Sequence, residues 1–175
     1  MNNSSFKNFI SPLLIIFVAV LMRLLPHLPN FTPIAAMALF GGVYLSKKYT
    51  FIIPLAAMFM SDIFLGFHAT MPYVYGSFIL AGVIGLWLKN HKSTKNIICS
   101  SLISSILFFL ITNFGVWVGG WYPRTFSGLM ESYVMGIPFF KNTVIGDLVY
   151  TGVFFSAYEL VQLLITRYSL NKAHS

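Results

Sequence analysis

Acidic residues and cysteine are scarce in this chain. Of its 175 residues four are Asp or Glu, against 11 Lys and Arg, and one is Cys. A lone Cys99 permits no internal disulfide and offers neither a paired redox motif nor a zinc cluster. The sequence also has no Gly-rich phosphate loop, no HExxH and no G-x-S-x-G, so phosphate-binding, zinc-protease and serine-hydrolase chemistry have nothing to stand on. Charged residues of both signs make up 9% of the chain and hydrophobic ones 57%. No soluble core of this size hides so much apolar surface, and an all-α integral membrane protein in contact with the lipid bilayer is expected. The net charge of +7 then needs no nucleic-acid partner. The Lys and Arg residues lie mostly in short connections between apolar runs, where they report orientation.

A spanning helix takes about 20 residues, so the chain has room for about six in one membrane domain, residues 1–175. The expected spans are Asn8–Leu25, Ile34–Ser46, Thr50–Phe67, Tyr73–Leu88, Asn96–Val118 and Thr143–Ile165. The first reads as an uncleaved helix, because no small-residue cleavage site follows it and further spans do. Pro26 to Pro33 holds three prolines in eight residues and cannot continue a helix. The second span is short enough to cross only if that proline loop dips into the membrane. Gly76, Gly82 and Gly85, with Ala81, suit a helix that neighbours approach closely. Pro123 to Asn142 reads as a long connection, and the aromatic and apolar content of Pro123 to Phe140 within it predicts an ordered lid.

Six spans put both termini on one side. Lys7, Lys47, Lys48, Lys89, Lys92, Lys95, Arg167 and Lys172 fall on that side, and Arg23, Arg124 and Lys141 on the other. Eight against three predicts cytoplasmic termini in a multi-pass protein of the bacterial inner membrane.

The opposite, outer side collects the chemistry. Around Ser61–Gly76 an apolar segment ends in Asp62, a glycine turn, His68 and a tyrosine pair, and ionisable groups at that depth are expensive enough to read as functional. Asp62 sits at the C-terminal end of its helix, where the dipole disfavours a negative charge, so it needs a partner such as Arg124 or Arg23. Asn113 and Trp117, four residues apart, share one helix face. The expected ligand-binding set is His27, Asn30, Asp62, His68, Tyr75, Asn113, Trp117, Arg124, Asn142 and Asp147, with no catalytic residue and no metal ligand assigned. Two bland readings compete with it. Trp and Tyr can form an interfacial belt, and Asp147, on the expected first turn of the last helix, can simply complement the helix dipole. Glu159 reads as a packing or interfacial residue nearer the cytoplasmic end.

Four stretches, LPHLPNFTPIAAMALFGG, MFMSDIFLGFHATMPYVYGSF, ITNFGVWVGGWYPRTFSGLMESYVMGIPFF and NTVIGDLVYTGVFF, together resemble a bacterial membrane family of unassigned function. That family belongs with the S components of energy-coupling-factor (ECF) vitamin transporters, and within them the chain is similar to the solitary cobalamin S components. The resemblance implies a six-transmembrane-helix bundle of S-component type, a cavity opening outward, capture of a small vitamin-like molecule, and docking on an ECF energising module. It makes cobalamin or another corrinoid the leading substrate, with no resident cofactor, and aligns His27 and Asp62 with polar positions of that pocket. Cys99 begins the fifth helix on the cytoplasmic side, so cobalt ligation by an outer cysteine is not implied, and helix 1 lacks the clear Ala-x-x-x-Ala docking pattern. A membrane scaffold of cell-envelope assembly and an intramembrane metal-dependent enzyme built on Asp62 and His68 are the alternatives.

Overall fold

The computed structural model describes residues 16–173, and over that range the chain is helical, with no strand among the described residues. A first helical segment, α1, covers residues 16–24. The start of the expected first span lies outside the described residues. It is followed by α2 (Ile34–Tyr44), α3 (Lys47–Leu65), α4 (Met71–Leu88), α5 (Thr94–Val118) and α6 (Phe126–Ala173). Four of these, α3 to α6, are long and apolar enough to cross a membrane. Many of their large exposed side chains are apolar, among them Phe64, Val83, Ile103 and Val153. In a bilayer that surface meets lipid and carries no penalty.

α2 is the centre. Nine of its eleven residues are buried, and it packs against α3, α4, α5 and α6. At about 1.5 Å per residue it is about 16 Å long, half the thickness of the hydrocarbon core. The expected second span, Ile34–Ser46, is thus a half-length core helix bounded by Pro33 and by an extended Leu45. Its sequence, IAAMALFGGVY, explains the position: Ala35, Ala36, Ala38, Gly41 and Gly42 let neighbours approach closely, and the rest are apolar or aromatic. The closest approach is to α4, where a Cβ on Gly42 would run into the backbone of Gly85 and one on Gly85 into that of Leu39. Gly76, grouped with Gly82 and Gly85 by sequence, has open space instead.

The largest departure from expectation is α6. Pro123–Asn142 was expected as a connection and a lid, but the helix starts at Phe126 and continues through Pro138 for 48 residues. The connection shrinks to residues 119–125. Two local causes account for it. The Thr125 hydroxyl accepts from the Gly128 amide at 3.2 Å, an N-cap bond immediately after Pro123 and Arg124. The apolar residues that follow then stack on α5: Phe140 on Phe109 at 4.7 Å between ring centroids, and Tyr133 donating to the Leu110 carbonyl at 3.0 Å. At about 1.5 Å per residue α6 is about 72 Å long, well beyond the about 30 Å that a span needs.

Because Gly42 and Gly85 meet backbone to backbone, neither neighbour can yield. Gly42→Ala or Gly85→Ala is expected to lower stability in detergent by about 1–3 kcal/mol or more, read from thermal unfolding. Gly76→Ala, with no atom within 4 Å, should leave the transition unchanged or slightly higher.

Candidate functional site

A cavity of about 520 Å³ lies at the end of the bundle that carries the connections 25–33, 66–70 and 119–125. His27 and Asn30 reach it from the first connection, His68 from the second and Tyr122 from the third. Its walls are Phe78 of α4, Phe108, Phe109, Thr112 and Asn113 of α5, and Phe139, Phe140 and Asp147 of α6. Aromatic walls with a few polar groups are the make-up of a small-molecule site.

One side is held by a buried ion pair. Arg23 Nη1 donates to Asp62 Oδ1 at 2.6 Å and to Ser61 Oγ at 2.5 Å, with the Met58 carbonyl at 3.2 Å. Tyr75 donates its hydroxyl to the other carboxylate oxygen at 2.8 Å. The side chains of Arg23 and Asp62 are 14% and 1% exposed. The expected partner for a carboxylate at an unfavourable helix end therefore exists, and it is Arg23. Arg124 instead donates to the Val118 carbonyl at 3.1 Å and does not line the cavity. Gly66 closes α3 with a positive φ of 95° and returns its amide to the Asp62 carbonyl at 2.8 Å, which sends the chain toward His68.

The floor is a second polar cluster. Asp147, 3% exposed, accepts from Ser105 Oγ at 2.6 Å, and one turn on, Thr151 Oγ1 lies 3.4 Å from Ser101 Oγ. The dipole explanation for Asp147 falls away here, since the residue lies deep inside α6 and not on a first turn. Ser100, Ser101, Ser104, Ser105 and Gly115 are the buried residues of α5. Ser104 donates to the Ser100 carbonyl at 2.8 Å, and the Ser101 carbonyl, 3.1 Å from Ser105 Oγ, is the alternative acceptor for the one proton that Ser105 directs at Asp147, so each hydroxyl is satisfied within the bundle. Sequence reading missed this seam. The signal was present in SSLISS, two serine pairs four residues apart in an otherwise apolar span.

Of the ten expected ligand residues, His27, Asn30, His68, Asn113 and Asp147 line the cavity. Asp62 and Tyr75 do not line it; Asp62 bonds the lining Arg23, and Tyr75 bonds Asp62. Trp117, Arg124 and Asn142 do not line it: the Trp117 indole donates to the Pro123 carbonyl at 3.0 Å and helps hold the 119–125 turn. Asn30 has a second reason to be present, because its φ of 64° is one that Asn tolerates better than most residues. Among the described residues no three His, Cys, Asp or Glu side chains gather as a metal site.

At the opposite end, Lys92 Nζ meets Glu159 Oε1 at 2.5 Å, and the Tyr44 hydroxyl bonds both at 3.0 Å. The Glu159 carboxylate, followed by the tyrosine hydroxyl, raises the Lys92 ammonium above its usual range. Both ions are substantially exposed, so the pair adds little stability and mainly ties the α4–α5 connection to α6.

The chain matches a family model over residues 3–169. It belongs to the family of unknown function DUF6580. No curated protein and no solved structure matches it. For this DUF6580 chain the geometry above is accordingly the ground for a functional reading.

In that geometry Asp62 is the residue whose loss strands a buried charge. Asp62→Ala should destabilise the protein by about 3–5 kcal/mol in a reversible detergent-denaturation titration. Tyr75→Phe, which removes one hydrogen bond to a charged group, should cost about 1.5–3 kcal/mol.

Proposed function

We propose that this protein captures a small, vitamin-like molecule from the outer face of a bacterial cytoplasmic membrane, in the manner of a six-helix S component. The observation that carries the reading is the cavity: about 520 Å³, aromatic-walled, built from six helices and three connections at one end of the bundle. That volume falls within the about 300–1,000 Å³ of small-molecule sites. Lys47, Lys48, Lys89, Lys92 and Lys95 all belong to the opposite end, which supports an outward mouth and cytoplasmic termini.

Size refines the substrate. A corrinoid with its nucleotide tail is bulkier than this space and would be seated only in part, between His27 and His68 at the mouth. A smaller ring-containing molecule would be enclosed. Each of the two histidines has one nitrogen engaged locally, His27 Nδ1 with the Leu25 carbonyl at 2.6 Å and His68 Nδ1 with Thr70 Oγ1 at 2.8 Å, which leaves Nε2 for a ligand. Passage to the cytoplasm would call on an energising partner, for which the ECF module is the candidate.

Orientation is checked by labelling whole cells with a membrane-impermeant thiol reagent after Cys99→Ser. A cysteine at His68 should react and one at Thr94 should not; the reverse pattern contradicts the outward mouth. Binding is checked by titrating the purified protein with corrinoids and other water-soluble vitamins. For whichever binds, Asn113→Leu and His68→Ala are expected to weaken affinity by about 1–3 kcal/mol with the unliganded melting temperature kept. Affinity indifferent to both variants would count against this cavity.

A further inference from the structure

We propose that the cavity selects an organic cation with an aromatic or apolar body, and that Asp147 is its counter-ion. The inference rests on the cavity being a ligand site and adds the charge of the ligand. It follows from the charges that line the space. Arg23 and Asp147 are its charged lining residues, with His27, His68 and Tyr122 the other titratable ones. The Arg23 charge is already cancelled by Asp62 at 2.6 Å, and Tyr75 occupies that carboxylate's second oxygen. Arg23 therefore offers little to an anionic ligand, which would have to pull it from a buried partner.

Asp147 is in the opposite position. It is buried, it lines the cavity floor, and Ser105 gives it one hydrogen bond. The ion pairs among the described residues are Arg23 with Asp62 and Lys92 with Glu159, and neither reaches Asp147. A carboxylate has about four lone-pair sites, so most of its accepting capacity remains unused on the described side chains. An ionised carboxylate at membrane depth without a counter-charge is costly, and intramembrane acids of this kind serve as ligand counter-ions. The walls agree in sign. Phe78, Phe108, Phe109, Phe139 and Phe140 present ring faces or edges around the same space, and aromatic faces attract cations. Lone carboxylate, neutralised arginine and aromatic walls together fit an ammonium or ring-nitrogen cation and disfavour an anion.

The test uses three probes on one carbon skeleton: 2-phenylethylamine, 2-phenylethanol and phenylacetate, titrated at neutral pH into the detergent-solubilised full chain and followed by ligand-detected NMR. The amine is expected to bind roughly tenfold or more tightly than the alcohol, and the acid most weakly, as a contact worth about 1.4 kcal/mol or more requires. Asp147→Asn should erase the amine's advantage and leave the alcohol unchanged. If that variant fails to fold, the parent's own order of affinities still decides. Equal binding of amine and alcohol, a preference for the acid, or an amine preference that survives in Asp147→Asn overturns the counter-ion assignment while leaving the cavity as a site. Failure of all three probes to bind overturns both the assignment and the cavity reading on which it rests.

Discussion

A buried arginine–aspartate pair sets the terms for the cavity end of this protein. Arg23 comes from α1, Asp62 and Ser61 from α3, and Tyr75 from α4, so a single cluster ties three helices together beside the cavity. Within a bilayer neither charge has water to fall back on, and either alone would cost several kcal/mol. The pair thus fixes register: α1 cannot slide along α3, nor α3 rotate against α4, without stranding an ion. Its position matters as much as its strength. By holding Arg23 at the cavity wall with its charge cancelled, the pair leaves the electrostatics of the space to Asp147 on the far side.

The four acidic residues of the chain show how a sparse set of charges is used. Asp62 closes the cluster with Arg23, Asp147 sits on the cavity floor, Glu159 anchors the α4–α5 connection through Lys92, and Glu131 is exposed on the first turns of α6. The other buried polar side chains among the described residues are small hydroxyls, several of which donate to carbonyls one turn back, as Ser77, Ser104 and Thr143 do. Such groups permit close helix packing and add no charge. The apolar core around α2 therefore does the packing, while the ionisable groups that line the cavity gather at one end.

Much of this was legible in the sequence because it follows from local rules. Hydropathy marked the long helices, the proline run marked the turn after α1, and a carboxylate at the wrong end of a helix dipole called for a cation. The choice between Arg23 and Arg124 was not legible, since it depends on how α1 lies against α3. Asp147 was misjudged through the start of α6. Pro123 and the aromatic run after it resemble a loop, and only the Thr125 cap together with stacking on Phe109 shows that the helix begins 21 residues before Asp147. The serine seam was missed because single hydroxyls scarcely change the apolar average of α5. Trp117 was read as a ligand platform from its spacing to Asn113, whereas its indole bonds the turn before α6.

In the cell, the cavity of about 520 Å³ is expected to hold a small molecule. Native mass spectrometry of protein released gently from its own cell membranes tests it directly, comparing the parent with Thr112→Trp, whose indole would occupy the cavity that Thr112 lines. The parent is expected to carry a discrete small-molecule adduct, and the variant, folded with a similar melting temperature, to fly bare. An adduct retained in full by Thr112→Trp, or a parent that is bare from cells grown in rich and minimal media alike, would contradict it.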